Sequence, residues 1–303
     1  MKPGIKNLGA SVLARLKNYA TETKQTFNEV LIYYGLERFL YRISVSRYEN
    51  KFILKGALVM LTWPQSHIRT TSDMDLRSYI NPDLQTVIEI MREICELETA
   101  PDGIEFDPNS VTATNILETA KYPGIRVRLI GYINKTRIHI QTDLAFTDPV
   151  VPEPIKANYP SILQFPEPRI LIYPKETIIA EKLEAAVQLG EINTRMKDFY
   201  DLWQLSSNFE FEGITLVTAV RSTFSSRNTG IPPTVPLALR SEFAKNNQKL
   251  WKAFLSRINA IEPRLQSLEE VIKTIREFLM PVVEAVYQNA DFQKMWDPDR
   301  GWI

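Results

Sequence analysis

Two aspartates one residue apart, Asp73-Met74-Asp75, lie within Thr70-Thr71-Ser72-Asp73-Met74-Asp75-Leu76-Arg77-Ser78-Tyr79, a run that suits a β-strand entered from a loop. Successive strand side chains alternate faces, so both carboxylates point the same way. Phosphoryl and nucleotidyl transfer use divalent cations to neutralise a triphosphate, and a pair of ions ~3.5–4 Å apart needs two or three convergent carboxylates. Asp143, on a neighbouring strand, can supply the third: it lies in the alternating run Thr136–Leu144, where His139, Gln141 and Asp143 share one face and Ile138, Ile140 and Thr142 the other. Upstream, Phe52-Ile53-Leu54 reads as a short strand that turns at Lys55-Gly56-Ala57 into a helix. Gly56 would let backbone approach phosphate, and a helix N-terminus there would offer N–H groups to an anion. Taken singly these features are weak, since an isolated Asp-x-Asp is more often a solvated strand end. Their order and strand placement favour nucleotidyl transfer.

A second cluster comprises Glu181-Lys182-Leu183-Glu184 and Arg195-Met196-Lys197-Asp198-Phe199-Tyr200-Asp201. Lys182 has apolar helix neighbours (Ile178, Ile179, Leu183, Ala186), so its ammonium either snorkels to water or meets a buried anion. Two readings stay open: an ion pair, Lys182 with Asp198 or Arg195 with Asp201, that locks two helices, and a phosphate-binding role for Lys182. His67 and His139 receive no catalytic role, because a lone histidine is more often solvated or structurally satisfied. The aromatic-rich stretch 27–40 and the stripe Phe199, Tyr200, Trp203 read as core.

The elements that must position these residues follow from periodicity. Residues Ser11 to Val45 form two or three amphipathic helices, with Ser11 and Thr26 as N-cap candidates, and Asp83 to Leu97 another, burying Leu84, Val87, Ile88, Met91, Ile94 and Cys95. Gly124–Ile130 and Thr136–Leu144 form a hairpin through Asn134-Lys135. Prolines cluster between Pro149 and Pro174, a packed junction between an α/β half and a helical half, and helices follow at 177–189, 192–206, 215–224, 241–256 and 267–289. The expected domains are 1–172 and 173–303. With 303 residues, 44% hydrophobic and 24% charged, the chain can bury a substantial core. Thirty-six basic residues balance thirty-six acidic ones, so a polyanion must be met by a local patch, with Arg126, Arg128, Lys135 and Arg137, or Arg221, Arg227 and Arg240, as candidates. One cysteine and two histidines exclude a disulfide framework and argue against a zinc site, which leaves a hard ion bound by oxygens. No signal peptide and no stretch of ~20 apolar residues is present, so a soluble cytoplasmic protein is expected, without membrane contact.

The ordered set Phe52-Ile53-Leu54-Lys55-Gly56-Ala57, Thr71-Ser72-Asp73-Met74-Asp75-Leu76, Gln141-Thr142-Asp143-Leu144-Ala145-Phe146, Tyr173-Pro174-Lys175-Glu176-Thr177-Ile178-Ile179-Ala180-Glu181-Lys182 and Arg195-Met196-Lys197-Asp198-Phe199-Tyr200-Asp201-Leu202 resembles the AbiEii/AbiGii family of nucleotidyltransferase toxins, from the first helix to roughly residue 240. The resemblance implies an α/β (α+β) chain with a DNA polymerase β-like nucleotidyltransferase fold: N-terminal helices, a small mixed sheet and a helical C-terminal domain. It implies the toxin of a type IV (abortive infection) toxin–antitoxin system, with a winged-helix antitoxin encoded nearby. By the same resemblance Asp73, Asp75 and Asp143 bind Mg²⁺ (or Mn²⁺), Asp143 also helping to activate the attacking hydroxyl. Lys182 and Asp198 match a later Lys and Asp of the family that count with the three carboxylates as catalytic, Lys182 holding the nucleotide's phosphates. Lys55, Gly56, Ala57, Lys182 and Arg195 are the expected nucleotide contacts. The donor would be a nucleoside triphosphate, and the acceptor an RNA such as a tRNA 3′ end, or a protein hydroxyl. Ala57 departs from the more common Gly-Ser or Gly-Gly turn and removes one hydroxyl contact to phosphate. A phosphotransferase and a non-catalytic RNA- or protein-binding module are the alternatives.

Overall fold

The computed structural model describes residues 7–63, 71–116 and 124–303. The N-terminal Met1–Gly4 stretch, the breaker Pro64, His67 and Thr70 lie outside the described residues. The chain divides into two compact units, one holding the described residues of Met1–Trp63, Thr70–Thr147 and Ile155–Ile172, the other those of Asp148–Pro154 and Tyr173–Ile303.

The first unit opens with α1 (Leu8–Thr23) and α2 (Phe27–Val45). Thr26 caps α2 as expected, accepting from the Glu29 N–H at 3.2 Å while Glu29 accepts from the Thr26 N–H at 2.9 Å, a capping box. Ser11 does not cap α1. Asn7 does, accepting from the Ala10 N–H at 2.9 Å, so the helix starts a turn earlier. Two helices therefore fill the segment.

Seven strands then form a mixed sheet: β1 (Phe52–Lys55), β2 (Asp73–Ser78), β3 (Glu105–Ile116), β4 (Gly124–Ile133), β5 (Thr136–Ala145), β6 (Ile155–Asn158) and β7 (Arg169–Ile172), in the order β3-β4-β5-β2-β1-β7-β6. Strand β2 runs parallel to β5 and antiparallel to β1, and β1 runs parallel to β7. The expected hairpin is β4–β5, with Asn134 in the left-handed region at φ 54°. One face is apolar: Met74, Leu76, Val127, Leu129, Ile138, Ile140 and Leu144 are buried. Helix α2 lies on that face, for a Cβ at its Gly35 would press on Ile138 and Ile140. Helix α3 (Leu84–Glu96), capped by Asp83, packs along β3 with Val87, Ile90, Met91, Ile94 and Cys95 buried. Ile90 takes the place expected for Leu84 and Ile88, which stay half-buried.

Buried charge ties α2 to the surrounding connections. Arg42 reaches both Asp102 oxygens at 2.9 and 3.3 Å, Arg38 donates to the Pro166 carbonyl, and Glu37 accepts from the Ile162 N–H and the Ser161 hydroxyl. Burial pushes the Glu37 carboxyl up; the Ile162 N–H, Arg38 and Ser161 oppose that shift.

The second unit is mostly helical: α4 (Lys175–Leu189), α5 (Met196–Asn208), α6 (Gly213–Ser226), α7 (Ser241–Arg257) and α8 (Leu268–Gln288). A small sheet of β8 (Phe211–Glu212), β9 (Met295–Asp297) and β10 (Gly301–Trp302) joins them. Trp296 donates to the Ser206 carbonyl and Trp302 to that of Phe278, which satisfies both indole N–H groups in an aromatic cluster.

Candidate active site

The open face of the seven-stranded sheet carries two rows of polar residues. Backbone register sets Lys55 opposite Asp75, Asp75 opposite Asp143, and Asp143 opposite Arg126. Residues paired this way share a face, on strands spaced about 4.8 Å apart. The charges across four neighbouring strands therefore run plus, minus, minus, plus. The next row is Asp73, Gln141, Arg128 and Thr112. Two acids directly opposite each other repel unless cations lie beside them, and in the first row Lys55 and Arg126 flank the pair Asp75 and Asp143.

Each acid is held. The Ser72 hydroxyl lies 3.3 Å from Asp73 Oδ1, and the Tyr33 hydroxyl accepts from the Thr71 N–H at 2.9 Å, anchoring the entry to β2. Arg126 grips Asp143 with both prongs, Nε to Oδ1 at 2.8 Å and Nη2 to Oδ2 at 2.7 Å. Arg128 Nε donates to Gln141 Oε1 at 3.0 Å. Asp73, Asp75 and Asp143 are all half-buried, open enough to meet a ligand.

Gly56 ends β1 at φ 71°, where only glycine is unstrained, and a Cβ there would collide with the Asp75 carboxylate. Gly56 opens the helix that the sequence suggested, a 3-10 helix over Gly56–Thr62. Short 3-10 runs serve as connectors, and this one links β1 to the segment before β2. What the turn contributes is close backbone approach to Asp75. Gly56→Ala is expected to cost about 1–2 kcal/mol of stability from the left-handed backbone. By displacing Asp75 it should also cut transfer by at least ~10-fold. Urea unfolding and a labelled-transfer assay measure the two effects, with Gly301→Ala as control. Gly301 has φ 77°, and an added Cβ would meet only a Trp296 ring carbon at an ordinary 3.9 Å, so its alanine variant should show the strain alone.

Asp73 also borders a concavity of about 480 Å³ on this unit, lined by Ser72, Thr112, Arg128, His139 and Gln141 among others. Among the described residues no group of three or more His, Cys, Asp or Glu side chains is gathered to hold a metal ion. The donors present fit a hard divalent ion bound by few protein ligands. Asp73 and Asp75 offer oxygens on one strand face, and the bare Gly56 lets the Asp75 carboxylate lie against the backbone.

In the second unit Lys182, from α4, lies 2.8 Å from Asp198 Oδ1 and 2.8 Å from Asp201 Oδ2, both on α5. Arg195 Nε is 2.6 Å from Asp198 Oδ2. The two aspartates are 2% and 0% exposed, so this is an interior ion network. Burial alone would push the Asp198 carboxyl up, yet Lys182 and Arg195 hold it below the ordinary carboxylate range. The helix-locking reading thus has its geometry, with Lys182 serving both acids and Arg195 pairing with Asp198.

Sequence reasoning missed a second hub. Arg227, offered as a surface-patch candidate, is largely buried and meets Asp148 at 2.9 Å, Glu184 at 2.8 Å and Glu181 at 3.6 Å. The acids hold its guanidinium firmly protonated against the opposing effect of burial. The signal was the pair Glu181 and Glu184, three apart on one helix face. Arg221 and Arg240 are exposed, as are Arg128, Lys135 and Arg137 on the hairpin.

Among curated proteins none matches the chain. Two solved structures align at low similarity: a proposed nucleotidyltransferase from H. pylori, with TM-score 0.43 and 16% identity over 83% of this chain and 92% of that one, and JHP933 from Helicobacter pylori, with TM-score 0.42 and 16% identity over 83% and 89%. No described helix is long and apolar enough to cross a membrane. The family model described as nucleotidyl transferase AbiEii toxin, type IV toxin–antitoxin system, matches residues 38–288, beginning within α2 and running on through α8, past the expected limit near residue 240. The chain belongs to the AbiEii family of nucleotidyl transferase toxins.

Proposed function

We infer that the chain transfers a nucleotide from a nucleoside triphosphate to a hydroxyl of an RNA, a tRNA 3′ end being the first candidate, or of a protein. One observation carries this reading: Asp73 and Asp75 share the open sheet face, with Asp143 in register opposite Asp75 and Gly56 against the Asp75 carboxylate. Asp73 and Asp75 would hold Mg²⁺ or Mn²⁺, and the bound ion would neutralise the triphosphate and the charge that builds on the leaving group. Gly56 keeps the backbone bare where it meets the Asp75 carboxylate, and Lys55, opposite Asp75 in register, adds positive charge on that side. The acceptor approaches from the Asp73 side, over the concavity of Arg128, His139 and Gln141. Its hydroxyl oxygen attacks the α-phosphorus and its proton passes to the Asp143 carboxylate. The bond from the α-phosphorus to the bridging oxygen breaks, and pyrophosphate leaves with that electron pair. Membership of a type IV toxin family supports an antitoxin partner, proposed to be of winged-helix type.

The test is incubation with each labelled triphosphate, Mg²⁺ and total tRNA, beside an Asp75→Ala control. Label that enters RNA or protein with the wild type alone, and a product heavier by a nucleotide monophosphate, is the expected result. An added mass of one phosphate assigns a phosphotransferase. Equal labelling by the variant removes the carboxylates from the reaction.

A further inference from the structure

Arg126 sits where the acidic row ends, on β4 opposite Asp143, and occupies both oxygens of that carboxylate. Fork-on-fork pairing of this kind fixes the plane and direction of a carboxylate as well as compensating its charge. The pair is only partly exposed, with side chains 32% and 23% accessible, so water screens it incompletely. Asp73 and Asp75 face Gln141 and Asp143 on β5 and Lys55 on β1, none of which can present a guanidinium fork to a carboxylate. A cation held at Asp75 therefore meets, at Asp143, a carboxylate already neutralised and a guanidinium that repels it. We propose that Arg126 is a positioning residue that divides the three carboxylates. It keeps Asp143 out of the ion's coordination set and aims it as the proton acceptor for the attacking hydroxyl, leaving the ion to Asp73 and Asp75. This rests on the reading of Asp73 and Asp75 as metal carboxylates.

Two consequences separate this role from a structural one. Asp143 matters to turnover and not to ion affinity. Removing Arg126 hands the ion a third carboxylate, so the ion binds more tightly while transfer slows. Mn²⁺ titration of the full-length protein without triphosphate, followed by the electron paramagnetic resonance of free Mn²⁺, tests both. Asp75→Asn should weaken binding by ~10–100-fold, at least the loss that removal of a metal site's supporting groups produces, and Asp143→Asn should leave it at the wild-type value. Arg126→Ala should tighten it several-fold, and the gain should vanish in the Arg126→Ala/Asp143→Asn double variant. Arg126→Lys, which keeps the charge and loses the fork, should fall between wild type and Arg126→Ala and serves if the alanine variant does not fold. Weakened Mn²⁺ binding in Asp143→Asn, or no tightening on loss of Arg126, overturns the proposal. If Asp73→Asn and Asp75→Asn both leave Mn²⁺ binding unchanged, the metal reading itself fails and takes the proposal with it.

Discussion

Replacing Asp75 with asparagine is expected to lower nucleotide transfer by roughly a thousandfold while leaving the fold intact. An ion on a transferring phosphate supplies several kcal/mol of charge stabilisation, and about 1.4 kcal/mol corresponds to each tenfold in rate. The amide side chain would keep one oxygen but lose the negative charge that holds the ion, so most of that stabilisation goes. Asp75 is half-buried on the open face of the sheet. Loss of a partly exposed charge at such a position changes stability by no more than about 0.5 kcal/mol. Single-turnover transfer at saturating triphosphate and a urea unfolding curve, run on one preparation, separate the two quantities. A variant that unfolds with the wild type and transfers a nucleotide at the wild-type rate would falsify the assignment of Asp75.

That prediction depends on a register the sequence conveyed only in part. The alternation Ile138, Ile140, Thr142 against His139, Gln141, Asp143 showed which face each residue takes, because β5 buries one side and exposes the other. Asn134-Lys135 marked the hairpin for the same local reason. The sequence set Asp143 on a strand neighbouring Asp73 and Asp75, and β2 does pair with β5; the parallel direction and the Asp75–Asp143 register were not legible, since parallel neighbours distant in the chain leave no mark in either segment. Nor was β3, an edge strand rich in Asp, Asn, Ser and Thr that contains Pro108 and shifts register between Asp107 and Thr112. Edge strands tolerate such residues, so its composition looks like a loop. Strand β7 was hidden among the prolines of the expected junction, where Ile170 and Ile172 are buried and the strand pairs with β1. Arg126 was seen only as a hairpin cation. Its partner on the next strand became visible once the register was known.

Removal of the Lys182 side chain should be the most destabilising single change in the second unit. Lys182→Ala would leave Asp198 and Asp201 buried at 2% and 0% exposure, with Arg195 as the cation paired with Asp198. Loss of one member of a buried ion network costs about 3–5 kcal/mol, because the remaining charge is uncompensated. The pH dependence has a definite sign. The folded Asp198 carboxyl titrates below its ordinary value, so its contribution to stability is fully present above about pH 4 and is lost as the pH falls through the folded value. The gap between wild type and Lys182→Ala should therefore narrow on acidification. Lys182→Met combined with Asp201→Asn should recover much of the loss, since the orphaned charge is gone and the Arg195–Asp198 pair remains. Urea unfolding of the three proteins at neutral and acidic pH measures each step. The ammonium already has two carboxylates at 2.8 Å, which favours a structural role. If Lys182→Ala proves as stable as wild type, that role is excluded, and any fall in its transfer rate then belongs to contact with phosphate.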